Sequence, residues 1–305
     1  VKLFGLCLCL CLLTAGSALA QSLDVEAKKE GDEVKVFVEG ALFTSYKFAD
    51  KQKYPYFWPV VGPASGKSIT TESSMPYPHH HSLFFGCDRV NEGNYWQDEI
   101  TAGQIVSKGP KIEIAKGYRV VFTDRCDWRK PKKRPIIEDT RKIEITAPGK
   151  DTRVIDFEIT LEALKKITIE KTNHSLFSAR VIPKLSCDSS GVLVNAEGKK
   201  REEGTFGVAS PWCDYSGTWE NKKEGIAILQ NPQNRWYPCK WFTRDYGFFS
   251  PTPMYWLEGD KLELPRGEKL TLKYRVIVHA GDARDAKIDR QFEKYEKAAR
   301  SQMEE

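Results

Sequence analysis

The chain has 305 residues, 40% of them hydrophobic and 11% aromatic, with 47 Lys and Arg against 42 Asp and Glu. That length and apolar content suffice for a sizeable core without disulfide staples. The net charge of +5 is matched by one short segment, Arg129, Lys130, Lys132, Lys133 and Arg134, so the remainder is near neutral and a nucleic-acid partner is not expected.

At the start, Lys2 precedes an apolar and cysteine-rich run from Leu3 to Leu13, and Ala18-Leu19-Ala20 stands before Gln21. This reads as a cleavable secretory signal peptide over 1–20, cut after Ala20, and places the mature chain, 21–305, in the periplasm or outside the cell as one domain. No later segment supplies the roughly 20 apolar residues of a membrane-spanning helix. The mature chain holds Cys87, Cys126, Cys187, Cys213 and Cys239 without a C-x-x-C pair, which argues against zinc-ribbon and thioredoxin-type sites. One or two disulfides and buried free thiols both remain open.

Strand signals dominate the mature chain. Glu33–Glu39, Lys111–Ile114, Arg141–Ile145, Arg153–Ile159 and Lys269–Val276 alternate polar and apolar residues. Turn chemistry punctuates them at Glu30-Gly31-Asp32, Glu39-Gly40, Pro148-Gly149-Lys150-Asp151 and Ala196-Glu197-Gly198. Helical periods are missing between the strands, so the pattern predicts an all-β, antiparallel sandwich and excludes a doubly wound fold. One helix is expected near the C-terminus: Asp282 as its cap, Asp285 in its first turn, and Ile288, Phe292, Tyr295 and Ala299 along one face. The basic run at 129–134, broken by Pro131 and Pro135, reads as a solvated hairpin loop, with a docking patch for an acidic glycan as the alternative.

Five histidines occur, three of them in Pro78-His79-His80-His81-Ser82 and a fourth in Thr172-Asn173-His174-Ser175. Imidazole is the side chain best suited to proton transfer near neutrality, and both segments run into aromatic stretches that read as buried strands. His279, alone in an apolar run, reads as a core residue. If 79–81 is extended, His79 and His81 face one side and His80 the other, so a shared site needs a bend there. Two of the three with His174 and Asp214 would suit a transition metal, but no ligand motif such as H-E-x-x-H accompanies them. Acid–base use without a cofactor is the expectation, and a transition metal the alternative.

The segments Ser210–Gly217, Asn231–Trp236 and Trp241–Gly247 gather rings, amides, guanidinium groups and carboxylates, a mixture that suits a sugar. From them Asp214, Tyr215, Arg235, Trp241, Arg244, Asp245 and Tyr246 join His79, His80, His81, Asn173 and His174 as candidate site residues. Core or strand-edge placement is the competing account of each tryptophan.

Pro78–Gly86, Thr172-Asn173-His174, Trp212–Gly217 and Trp241–Phe249 resemble, in order, the signature segments of an uncharacterised family of secreted bacterial proteins often labelled "PmoA" or "methane oxygenase". That label would imply a metal-dependent oxygenase. Thr172-Asn173-His174-Ser175-Leu176-Phe177 is also similar to the Thr-Asn-His-x-x-Phe segment of galactose mutarotases and related aldose epimerases. This second resemblance implies a β supersandwich in which His174 is the general acid at a sugar ring oxygen. The glutamate motif that supplies the base in those enzymes is not reproduced, leaving Asp245, Asp214 and Glu258 as candidates. The expected function is therefore acid–base chemistry on a carbohydrate or glycoside, of epimerase, lyase or hydrolase type. His174, His80, His79, Asp245 and Asp214 would be catalytic, and His81, Asn173, Tyr215, Arg235, Trp241, Arg244 and Tyr246 substrate-binding. Non-catalytic glycan binding and metal-dependent oxygenation are the alternatives.

Overall fold

A computed structural model describes residues 22–97 and 99–304; the expected leader lies outside them. Two antiparallel sheets face each other. In the second sheet the order runs Val192–Asn195, Trp212–Trp219, Lys222–Gln230, Lys269–Ala280, Thr152–Ala163, Ile137–Gly149, Arg119–Arg129 and Gln104–Ser107, with Lys111–Ile114 beside Arg119–Arg129. Its long members contain three of the five alternating runs seen in the sequence, Arg141–Ile145, Arg153–Ile159 and Lys269–Val276, whereas Lys111–Ile114 is the short side strand and Glu33–Glu39 falls in the first sheet. Ile137–Gly149 buries every second residue because one face meets the core while the other meets water.

The first sheet runs Trp241–Arg244, Phe248–Pro251, Ser175–Arg180, Leu83–Val90, Tyr56–Val60, Ala41–Lys47, Glu33–Val38, Val25–Glu30 and Lys116–Gly117, with three short strands attached at its side. Several of its strands are buried on both faces, as in Ser175–Arg180 and Phe248–Pro251. Their inner faces interlock with the second sheet. Phe177 stacks on Tyr274 with ring centres 4.7 Å apart and meets Phe157 at 5.0 Å, while Phe249 meets Tyr215 at 5.3 Å. A buried polar staple also joins the sheets. Tyr46 donates to Asp124 at 3.0 Å, and the neighbouring Arg141 is clasped by Asp139 through Nε and Nη2 at 2.9 and 3.0 Å, so this interior cation is paired.

The C-terminal helix, Ile288–Glu304, lays Ile288, Phe292 and Tyr295 on Trp212, Ala227, Leu229 and Ile277 of the second sheet's outer face. Each such buried side chain contributes about 1.5–3 kcal/mol. The cap differs from expectation. Asp282 Oδ1 accepts from the backbone N–H groups of Arg284 and Asp285, which closes the preceding turn, and Lys287 at φ 54° separates that turn from the helix. A five-residue helix, Arg201–Thr205, was not expected; Gly204 within it hid the signal.

The five cysteines among the described residues are all buried free thiols. The basic run forms an exposed hairpin loop between Arg119–Arg129 and Ile137–Gly149. Among the described residues no helix is long and apolar enough to cross a membrane.

Candidate functional site

The site lies on the outer face of the first sheet. Strand alternation assigns its members: Trp241 and Thr243 point inward, so Phe242 and Arg244 point outward. Arg244 pairs across the ladder with Phe248, and Phe248 with Arg180, giving one outward row over three strands. The hairpin between Arg244 and Phe248 closes through Gly247 at φ 103°, where an added Cβ would lie 2.7 Å from a Val181 methyl. This turn delivers Tyr246 over the row.

Loop 71–82 covers the sheet here. It is bent, in contrast to the extended run that the apolar flanks suggest: the amides of Tyr77, His80 and Ser82 donate to the carbonyls of Ser74, Tyr77 and His80, and Ser82 sits at φ 57°. The bend separates the three histidines. His81 leaves the site, stacks on Tyr56 at 4.9 Å and places Nδ1 2.6 Å from the Glu72 carbonyl. His79 and His80 stay together, with ring centres 4.6 Å apart, and His79 stands 6.4 Å from His174.

His174 precedes the strand Ser175–Arg180, whose first residue pairs with Cys87. That register sets Asp88 beside His174. The Asp88 amide donates to the His174 carbonyl at 3.0 Å, and His174 Nδ1 lies 2.9 Å from Asp88 Oδ2. The Thr172 hydroxyl donates to the other carboxylate oxygen and accepts from the His174 amide at 3.0 Å. A carboxylate offers only acceptors, so Nδ1 carries the proton and Nε2 is left for the cavity. Trp96 stacks on the His174 ring at 5.7 Å and fixes its plane.

Tyr77, His80, Asn173, His174, Phe242, Arg244, Tyr246 and Phe248 line a cavity of about 150 Å³. Arg244 is anchored to Glu202 at 2.7 Å and lies against Phe206 and Phe242. The Asn173 amide makes no hydrogen bond among the described residues and is available to a ligand. His80 is only 4% exposed, and burial, reinforced by His79 and Arg180, pushes its pKa down to about 2. It is therefore a neutral hydrogen-bonding group and cannot share the acid role with His174. Burial raises Tyr246 to about 12, which keeps its hydroxyl protonated.

Other expected members are elsewhere. Asp214 and His279 are both fully buried on the outer face of the second sheet, 2.7 Å apart, so Asp214 neither faces this cavity nor completes a ligand set with the histidine run. Among the described residues no group of three or more His, Cys, Asp or Glu could hold a metal ion. Asp245 is bound by Arg201 and the Glu202 amide, Arg235 meets Glu268 in an exposed pair at 3.8 Å, and Glu258 does not line the cavity. Trp241 is sealed inside with its indole N–H on the Ser210 carbonyl, and the Tyr215 ring packs in the core. Asp88, Trp96, Tyr77, Phe242 and Phe248 were missed. Asp88 had a signal of its own, an acid within the apolar strand Leu83–Val90.

A sequence profile for a family of unknown function (DUF6807) matches residues 33–293. The chain belongs to this family. Its description carries neither the label PmoA nor an activity. No curated protein matches the chain. Among solved structures the chain is distantly similar to a galactose mutarotase related enzyme from Lactobacillus acidophilus, at 6% identity and TM-score 0.37 over 84% of this chain and 97% of that one. A putative kojibiose phosphorylase from the human microbiome matches at 9% identity and TM-score 0.33, over 85% of this chain and 32% of that one. A GalM/aldose epimerase homologue from C. elegans matches at 8% identity and TM-score 0.30, over 86% and 99%.

Proposed function

We propose that this protein is an exported enzyme acting on a sugar or glycoside, with His174 as its acid–base group. The observation that carries the reading is the Asp88–His174 pair at the wall of a cavity formed by aromatic rings, an unengaged amide and a guanidinium group. Rings suit the apolar face of a pyranose, and Asn173 and Arg244 suit its hydroxyls. The cavity is smaller than the roughly 300–1,000 Å³ of sites for drug-sized ligands, which fits one sugar unit.

In the simplest step, Nε2 of His174 takes the proton of a sugar hydroxyl while Asp88 stabilises the imidazolium that forms. If that hydroxyl is anomeric, the bond from C1 to the ring oxygen breaks and the ring oxygen takes the proton back from His174. Epimerisation and elimination instead need a C–H proton taken at the reacting carbon, and hydrolysis needs a proton given to the glycosidic oxygen while water adds at C1; His174 can supply either transfer. His80, held neutral, and Asn173 orient the substrate. A panel of free sugars and glycosides, tested with wild type and His174→Ala, decides the matter. Turnover that depends on His174 is expected. Equal turnover by the variant removes the mechanism, and tight binding without turnover makes the protein a glycan binder.

A further inference from the structure

Arg180 is 2% exposed, yet among the described residues no carboxylate pairs with it, and its Nε and Nη1 have no hydrogen-bond partner. Its guanidinium group lies 4.3 Å from the centre of the Tyr246 ring, which forms part of the cavity wall. The contrast with Arg141, clasped by Asp139 at two nitrogens, is direct. An unpaired interior cation is costly to desolvate, and buried donors without acceptors require an explanation in what the site receives.

Arg180 is not alone. Ser178 shares its strand face two residues earlier and its hydroxyl has no partner; neither does the indole N–H of Trp96, which stacks on His174, nor Nδ1 of His80. Arginine and tryptophan can only donate, and serine can. The arginine that lines the cavity, Arg244, is already balanced by Glu202. The outer face thus holds a buried positive charge and a set of donors lacking an acceptor.

We infer that the ligand of this cavity is acidic and, on the carbohydrate reading above, that it is a sugar bearing a carboxylate, whose charge Arg180 balances. A planar carboxylate matches a guanidinium fork in shape as well as charge. Tyr246 then screens the ion pair from water, and away from water the attraction within such a pair is stronger.

The test is calorimetric titration of the purified chain with D-glucuronate and D-galacturonate, with D-glucose and D-galactose, and with sodium acetate and sodium sulfate. Both uronates should bind at least tenfold more tightly than their neutral counterparts, and Arg180→Gln should abolish that preference. Should Arg180→Gln fail to fold, the wild-type contrast decides alone. Neutral sugars that bind as tightly as their acids overturn the inference but leave the carbohydrate reading intact. Acetate or sulfate held through Arg180, with no sugar bound, supports the acid site and removes the carbohydrate reading. Failure of every anion to bind, or an undiminished preference in folded Arg180→Gln, also overturns the inference.

Discussion

His174 with Asp88 and His279 with Asp214 are chemically the same pair, with nitrogen and oxygen 2.9 and 2.7 Å apart, one on each sheet. Their surroundings divide them. His279 is fully buried and both its nitrogens are engaged, Nε2 by Asp214 and Nδ1 by the Ala280 carbonyl at 3.3 Å. Burial pulls its pKa down, but the charge and hydrogen bond of Asp214 outweigh that and hold it above the usual value. The result is an internal ion pair that ties the strands Trp212–Trp219 and Lys269–Ala280 together. His174 spends one nitrogen on Asp88 and keeps the other at a cavity. A histidine–carboxylate contact thus says little about chemistry until the second nitrogen is accounted for.

The largest separation between the pairs should appear in turnover. His174→Ala is expected to lower kcat about 10²- to 10⁴-fold on a reactive sugar with little change in melting temperature. If its melting temperature falls as far as that of His279→Ala, the distinction collapses. Next, Asp214→Ala strands the buried imidazole and should cost about 3–5 kcal/mol of stability in urea unfolding, with kcat of the folded fraction unchanged. Asp88→Asn keeps a hydrogen bond but no longer fixes the proton on Nδ1, so a loss of about 10²-fold in kcat is expected at unchanged stability. A kinetically silent Asp88→Asn would reduce that pair to a structural contact.

The smallest effect concerns pH and contrasts His279 with His80. His80 titrates near 2 in the fold and near 6.5 in the unfolded chain. As pH falls below 6.5 the unfolded chain takes up a proton that the native state refuses, so stability drops by about 1.4 kcal/mol per pH unit. His279 has the opposite sign: its contribution is complete below about 6.5 and is lost as pH rises through its raised folded value. Urea midpoints from pH 4.5 to 8.5 should therefore flatten on the acid limb in His80→Gln and on the neutral-to-alkaline limb in His279→Gln. Profiles parallel to wild type in both variants would refute the assigned protonation states.

The two sheets also differ in how far sequence discloses them. Ile137–Gly149, Thr152–Ala163 and Lys269–Ala280 have a wet face and a dry one, so alternation exposes both strand and orientation. Leu83–Val90, Ser175–Arg180 and Phe248–Pro251 are covered on both faces and their period disappears. Within the short strand Trp241–Arg244 this leaves orientation undetermined in the sequence, which points to Trp241 where its neighbour Phe242 lines the cavity. His174 was legible as a rare imidazole in a polar triplet. Asp88, 86 residues away, reaches it only through pairing of their strands, which local pattern does not encode. The bend at 79–81 rests on backbone hydrogen bonds within the loop, and the composition of three adjacent histidines gives no hint of which ring turns away.

The same alternation offers a route to redesign. Along Trp241–Arg244 and Phe248–Pro251, Phe242, Arg244 and Phe248 line the candidate cavity while Trp241, Thr243 and Phe249 belong to the structural interior. Combinatorial libraries at Phe242, Arg244 and Phe248 can therefore diversify selectivity while Trp241, Thr243 and Phe249 continue to secure the scaffold.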